Sequence, residues 1–156
     1  MLKSVMGPFL AVVLTAGLTG LPTGDAVAQA ASPNEIVGIW EAENGNIKFE
    51  MFDAGGSYAG RMIYGALLVE ADGKTFKKDT LNPDPNLRNR SLEGIVFLTN
   101  LKWDASDQRW EGGDFYSGAT GRTTSAHVTL INEKMEVRAY MGTPVLGQTM
   151  TFRRVQ

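Results

Sequence analysis

The residues best suited to chemistry lie in the segment DTLNPDPNLRNRSLEG, residues 79–94. Arg88 and Arg90 stand two apart, so in an extended chain their guanidinium groups point the same way. Planar guanidinium forks suit carboxylates and phosphates. Asp79 and Asp84 provide opposite charges within the same segment. These local partners favour ion pairs that hold a loop in place, and the alternative is a binding site for an acidic ligand.

Prolines and leucines shape the same segment. Asn82 and Asp84 each precede a proline, which pushes both residues to extended backbone, and proline cannot donate within a sheet. Leu87 and Leu92 are the apolar anchors expected to reach the core. We therefore predict an ordered polar loop that closes one end of the fold, with Asp79, Asn82 and Asp84 as its polar framework.

The rest of the chain offers little for catalysis or metal binding. His127 is the sole histidine, and strand alternation places it with Ser125 and Thr129 on a face expected to be solvated. The sequence has no cysteine, which excludes a thiol nucleophile and the common zinc ligand sets. The carboxylates between Asp104 and Asp114 do not match the spacing of a helix-loop-helix calcium loop. We predict no catalytic residue, no metal site and no cofactor.

The elements that must position these residues are strands, because a period of two dominates the chain. Apolar and charged residues alternate in 47–51 and again in 135–141, and turn residues separate such runs. Short connections imply antiparallel neighbours, and about eight strands can close into an up-and-down β-barrel. A β-sandwich is the alternative. The predicted strands are 36–43, 46–52, 57–65, 94–102, 109–116, 122–131, 134–141 and 147–155.

The two ends of this strand series are expected to meet. Gly38-Ile-Trp40 opens the first strand, and Phe152-Arg-Arg154 closes the last. Arg154 shares a face with Phe152, so we predict that its guanidinium lies on the Trp40 indole, a contact that contributes about 0.5–2 kcal/mol. This pairing resembles the closure of lipocalin-like, or calycin, barrels.

The segment at 79–94 also carries a family pattern. Asp79-x-x-Asn82-Pro-Asp84-Pro-x-Leu87-Arg88-x-Arg90-x-Leu92-x-Gly94 resembles the signature of an uncharacterised bacterial secreted family, domain of unknown function 2147. Later pieces fit in order, namely Trp110-Glu-Gly112-Gly113, Tyr116 with Gly121, Arg138-x-Tyr140-x-Gly142, and Gly147 through Val155. The resemblance covers Gly38 to Val155. It implies a lipocalin-like fold outside the cytoplasm and names no activity.

Two departures from the family pattern flank the predicted hairpin at 116–124. This chain has Ser117-Gly118 where relatives tend to have Asp-Pro, and Thr124 where they tend to have an aromatic residue. If that hairpin touches a ligand, the ligand differs from that of the relatives.

The first 30 residues predict a cleaved secretory leader. Lys3 gives a positive start, 9–21 is apolar, and Ala28-Gln-Ala30 is a signal-peptidase site. The apolar run is short for a membrane span, which needs about 20 residues. We therefore predict one barrel domain at 31–156, periplasmic or secreted, without stable membrane insertion. Its net charge is that of the full chain, -2, which argues against a nucleic-acid partner.

Two functions remain open at this point. In the first, the barrel binds a small apolar or amphipathic molecule, with Arg88, Arg90, Tyr116 and Tyr140 as candidate contacts. In the second, the barrel is packed and ligand-free and serves as an envelope protein-interaction module or inhibitor. A connected cavity of several hundred cubic ångströms favours the first. The apolar residues expected to line such a cavity are Phe49, Met51, Met62, Met135, Met141, Met150 and Phe152.

Overall fold

The computed structural model describes Ala30 and residues 32–156, so the predicted leader, apart from Ala30, lies outside the described residues. Eight antiparallel strands form a closed barrel in chain order, and β8 pairs with β1. The predicted up-and-down barrel is confirmed, and the alternative of a β-sandwich is wrong. The strands are β1 (Gly38–Ala42), β2 (Ile47–Asp53), β3 (Tyr58–Gly65), β4 (Val96–Asp104), β5 (Arg109–Ser117), β6 (Arg122–Ile131), β7 (Lys134–Tyr140) and β8 (Gln148–Arg154).

The strand bounds agree with the sequence pattern to within two residues. β1 begins two residues later than predicted, because Pro33–Ile36 forms a 3-10 helix that precedes it. Two further 3-10 helices, Pro85–Leu87 and Pro144–Leu146, lie in connections within the described residues. In that part of the chain, none of the helices combines the length and apolar character required to cross a bilayer.

The barrel end at which β1 begins is filled by apolar side chains. The indole Nε1 of Trp40 donates to the Ile36 carbonyl at 2.9 Å, and that of Trp110 donates to the Pro33 carbonyl at 3.1 Å. The 3-10 helix is thereby fixed across this closed end. Interior side chains with no solvent exposure include Trp40, Trp110, Phe49, Met51, Leu98, Leu101, Met135 and Val128.

Four connections meet at the opposite, open end of the barrel, namely 43–46, 66–95, 118–121 and 141–147. Several large apolar side chains in these connections remain exposed. Met141 is 68% exposed, because β7 ends at Tyr140 and Met141 already belongs to the last connection. The prediction that Met141 lines the interior is therefore wrong.

His127 also departs from expectation, because it is buried and not solvated. It lies on the outer face of β6 opposite Arg138, and the Tyr140 ring lies 5.8 Å from its own ring. Burial lowers the pKa of His127, the Glu111 carboxylate raises it, and the cations of Arg109 and Arg138 lower it further. The net decrease keeps the imidazole neutral at pH 7, so His127 serves as a covered packing residue.

Candidate ligand-binding site

A cavity of about 500 Å³ occupies the open end of the barrel. Its inner wall includes Met62, Phe97 and Phe152, all of which are buried. Its rim includes Leu67, which is 74% exposed, so the cavity reaches solvent. The complete lining is Ala42, Asn44, Asn46, Ile47, Met62, Gly65, Ala66, Leu67, Leu68, Ile95, Phe97, Phe115, Tyr116, Ser117, Gly118, Ala119, Met150, Thr151 and Phe152.

Aromatic rings fix the floor of the cavity. Phe49 makes edge-to-face contacts with Phe97 at 5.3 Å and with Phe152 at 4.8 Å between ring centroids. Phe97 makes a third contact of this kind with Phe115 at 5.5 Å. Such pairs contribute beyond the area that they bury. The packed half of the barrel therefore ends in a rigid apolar surface below the cavity.

The β5–β6 hairpin contributes directly to the cavity wall. Ser117 and Gly118, where this chain departs from the family pattern, both line the cavity. A Cβ atom on Gly118 would lie 2.7 Å from Leu92 Cδ2, so the glycine permits Leu92 to pack closely against the hairpin. Thr124 pairs with Phe115 on the inner face, and its hydroxyl oxygen is buried without a hydrogen-bond partner.

Side chains of the loop and of β5 form a hydrogen-bonded cluster, the Asp79 lock, around Asp79, which is fully buried. Its carboxylate accepts hydrogen bonds from Tyr116 Oη at 2.5 Å, Asn82 Nδ2 at 2.8 Å and Arg90 Nε at 2.9 Å. A second Arg90 nitrogen lies 2.8 Å from the same carboxylate. The Asp79 amide donates to the Arg90 carbonyl at 2.9 Å, which closes the base of the loop.

Contacts within the lock shift the pKa of Asp79 and the pKa of Tyr116. Burial alone raises the pKa of Asp79, but hydrogen bonds from Tyr116, Asn82 and Arg90 outweigh it, and the pKa is lowered. Burial, followed by the hydrogen bond to Asp79, raises the pKa of Tyr116 to about 12. At neutral pH the carboxylate is therefore charged, and the phenol keeps the proton that it donates.

Two details of the predicted loop are wrong. Asp84 does not pair with an arginine, because its carboxylate accepts from the Asn86 amide and caps the 3-10 turn at 2.9 Å. Arg88 instead donates to the Asn82 carbonyl at 2.8 Å. Leu87 is 36% exposed, since the 3-10 turn points it away from the core. Leu92 is the buried anchor of the loop.

This external loop, residues 79–94, lies along the outside of β4 and β5 and also packs against the hairpin at the open end, where a Cβ on Gly121 would lie 2.0 Å from the Leu81 carbonyl oxygen. No residue of 79–94 lines the cavity. Thr99 and Asp114 form a cross-strand pair, and the preceding pair is Leu98 with Phe115. Because adjacent strand residues face opposite sides and Phe115 faces inward, Thr99 and Asp114 face outward. A crevice of about 240 Å³ with a mixed polar and apolar lining separates the loop from these strands. It is lined by Asn82, Pro83, Arg90, Val96, Phe97, Thr99, Asp114, Tyr116 and Thr123.

The structure thus separates the four candidate ligand contacts. Tyr116 is among the residues that line the cavity and also lines the external crevice, and its hydroxyl is bonded to Asp79. Arg88 and Arg90 belong to the external loop, and Tyr140 lies beside His127 on the outer face. Of the expected apolar lining, Met62, Met150 and Phe152 line the cavity, whereas Phe49, Met51 and Met135 belong to the packed core.

Sequence reasoning missed much of the cavity wall. Phe97 lies in a run that is apolar at every position, so alternation does not indicate which side chains face inward. Ala66, Leu67 and Leu68 lie in a connection and not in a strand. The sequence signal for this part of the cavity wall is the apolar triplet itself, which precedes the charged residues of the connection.

Barrel closure joins Gly38, Trp40 and Arg154. The Arg154 guanidinium carbon lies 4.3 Å from the Trp40 ring centroid. Arg154 also donates to the Val37 carbonyl at 2.7 Å and to the Glu35 carbonyl. A Cβ on Gly38 would lie 2.5 Å from an Arg154 nitrogen, so glycine is needed to admit the guanidinium.

A second depression of about 550 Å³ lies at the closed end. Glu35, Glu133, Lys134, Arg153 and Arg154 contribute charges of both signs to its walls. Arg153 is paired with Glu41 at 2.8 Å and Lys134 with Glu43 at 2.7 Å. This charged groove differs in character from the apolar cavity, which remains the better candidate for ligand binding.

A closed eight-stranded barrel with a packed end and an apolar cavity at the other end defines a lipocalin-like protein. The solved structure described as "Protein HP1028 from the human pathogen Helicobacter pylori belongs to the lipocalin family" matches with a TM-score of 0.65 and 29% identity, over 78% of this chain and 83% of that one. Residues 38–154 match the family described as "Uncharacterized protein conserved in bacteria (DUF2147)". The chain belongs to this family, domain of unknown function 2147. No curated protein is significantly similar to it.

Proposed function

We propose that the protein binds a small apolar molecule in the cavity at the open end of its barrel, outside the cytoplasm. The observation that carries this proposal is the cavity of about 500 Å³ with its apolar wall. Binding sites for small molecules are typically concave and apolar, with volumes of roughly 300–1,000 Å³. The periplasmic or secreted location rests on the leader pattern of residues 1–30.

The barrel interior is packed at one end and contains a cavity at the other. This difference favours ligand binding over a packed, ligand-free interaction module. The closed end already supplies a core, with Trp40 and Trp110 fully buried. The open end instead leaves apolar side chains such as Met62 and Phe115 around empty volume. Filling that volume with an apolar ligand removes the exposed surface from water, which is favourable by about 25 cal/mol per Å².

Ala119 provides a direct test of the site. It is partly buried and lines the cavity wall, so Ala119→Trp places an indole in the binding volume. Binding of the neutral fluorophore N-phenyl-1-naphthylamine is measured by titration at neutral pH. We expect saturable binding to the unmodified protein and a loss of affinity of at least about tenfold in the variant, or about 1.4 kcal/mol.

Ala105→Trp is the matched control. Ala105 is exposed in the turn between β4 and β5, away from the open end, so the same substitution there adds an indole without reducing the cavity. Equal affinity of both variants for the fluorophore contradicts the proposed site. Absence of saturable binding to the unmodified protein contradicts the proposed function.

A further inference from the structure

The cavity wall is uncharged. None of the described residues that line it is Asp, Glu, Lys, Arg or His. The polar side chains among the lining residues are those of Asn44, Asn46, Ser117 and Thr151, whereas the Tyr116 hydroxyl is bonded to Asp79. These groups donate or accept hydrogen bonds, but they do not neutralise an ion.

The arginines of the external loop are already engaged. Arg90 lies beside the Tyr116 ring, with its guanidinium carbon 6.0 Å from the centroid, but it pairs with Asp79 on the outer side of the wall. Arg88 donates to the Asn82 carbonyl. Neither side chain lines the cavity, so neither meets an acidic group bound within it.

Near the rim, Arg122 and Lys77 are exposed cations that do not line the cavity, and Arg122 pairs with Ser117 of its wall. The Lys77 ammonium donates to the carbonyl of Leu67 at 3.2 Å. An ion pair with an exposed lysine contributes little, because solvent screens the charges and the long side chain loses entropy. This lysine therefore does not compensate for moving a charged group from water into the apolar interior.

On this basis we propose that the cavity selects uncharged compact molecules and rejects close analogues that carry a charge into it. An ion that leaves water for an apolar site needs a partner of opposite charge, and the wall provides none. Hydrogen-bonding groups around the rim are compatible with a neutral polar substituent. This selectivity rests on the proposed binding function and specifies its ligand class.

Two fluorophores that differ only by a sulfonate test the inference. N-phenyl-1-naphthylamine is neutral, and 8-anilinonaphthalene-1-sulfonate is the same ring system with a permanent negative charge. Both are titrated into the protein at physiological salt, and binding to Ala119→Trp is subtracted as binding outside the cavity. We expect the neutral compound to bind at least about tenfold more tightly, a difference of roughly 1.4 kcal/mol.

Replacing Met150 with lysine introduces a positive charge, which the cavity wall lacks. Met150 is half-buried and lines the cavity. Met150→Lys should improve the affinity for the sulfonate relative to the neutral compound, whereas Met150→Gln, of similar length and without charge, should leave the preference in place. If either variant fails to fold, the comparison of the two fluorophores on the unmodified protein still decides the question.

The outcomes separate the inference from the function on which it rests. Equal or tighter cavity binding of the sulfonate by the unmodified protein overturns the charge selectivity and leaves ligand binding intact. Lack of saturable cavity binding by either fluorophore overturns the proposed function and the selectivity together. Tight binding of the neutral compound alone supports both.

Discussion

Replacing Asp79 with Asn should weaken the external loop without changing its shape. The substitution removes the negative charge at the centre of the lock and retains side-chain size. Asp84→Asn is the matched control, because it makes the same change five residues away in the same segment. Asp84 is exposed and caps a short turn, and Asn and Asp serve almost equally well as caps.

The magnitude follows from the contacts that depend on the charge. Hydrogen bonds to charged groups contribute about 1.5–3 kcal/mol each, and Asp79 accepts such bonds from Tyr116, Asn82 and Arg90. The Arg90 side chain is 39% exposed, so its share is reduced by solvent. The Tyr116 hydroxyl can rotate to accept from the new amide. We therefore expect Asp79→Asn to cost about 2–3 kcal/mol and Asp84→Asn less than about 0.5 kcal/mol.

Urea unfolding followed by tryptophan fluorescence measures both free energies of unfolding. The pH dependence gives a second test, because the pKa of Asp79 is lowered in the folded protein. Its stabilisation is then fully present above the unfolded value of about 3.9 and is lost as pH falls through the folded value. The difference between the unmodified protein and Asp79→Asn should shrink in that acidic range. Equal stability of the two asparagine variants at pH 7 would refute the lock.

Two further predictions concern the closed end and the leader. Trp40→Ala should cost about 3–5 kcal/mol in the free energy of unfolding, because it removes a buried indole beneath Arg154. Trp103→Ala, at a partly buried indole, should cost less, and the reverse order in chemical denaturation would argue against the closure role of Trp40. Intact mass of the secreted protein should correspond to a chain beginning at Ala31, and recovery only of a chain that retains the leader would contradict cleavage after Ala30.

The strands were predictable because the sequence alternation depends on local geometry alone. The position of the loop was not, because it is set by contacts between distant residues. Asp79 and its donor Tyr116 lie 37 positions apart. Alternation within β5 places this tyrosine on the outer row but does not indicate which distant side chain it meets there. The burial of His127 likewise depends on Arg138 and Tyr140 from the next strand, which alternation within β6 does not reveal.

The external loop belongs to a connection that also forms part of the cavity wall. The connection 66–95 contributes Ala66, Leu67 and Leu68 to the cavity wall, whereas the Asp79 lock that stabilises it lies on the outside of the strands. Under the proposed function, substitutions among these three residues would change the shape of the binding site while the contacts of the Asp79 lock stay in place. One connection would then tolerate changes in ligand preference without losing the contacts that hold its loop.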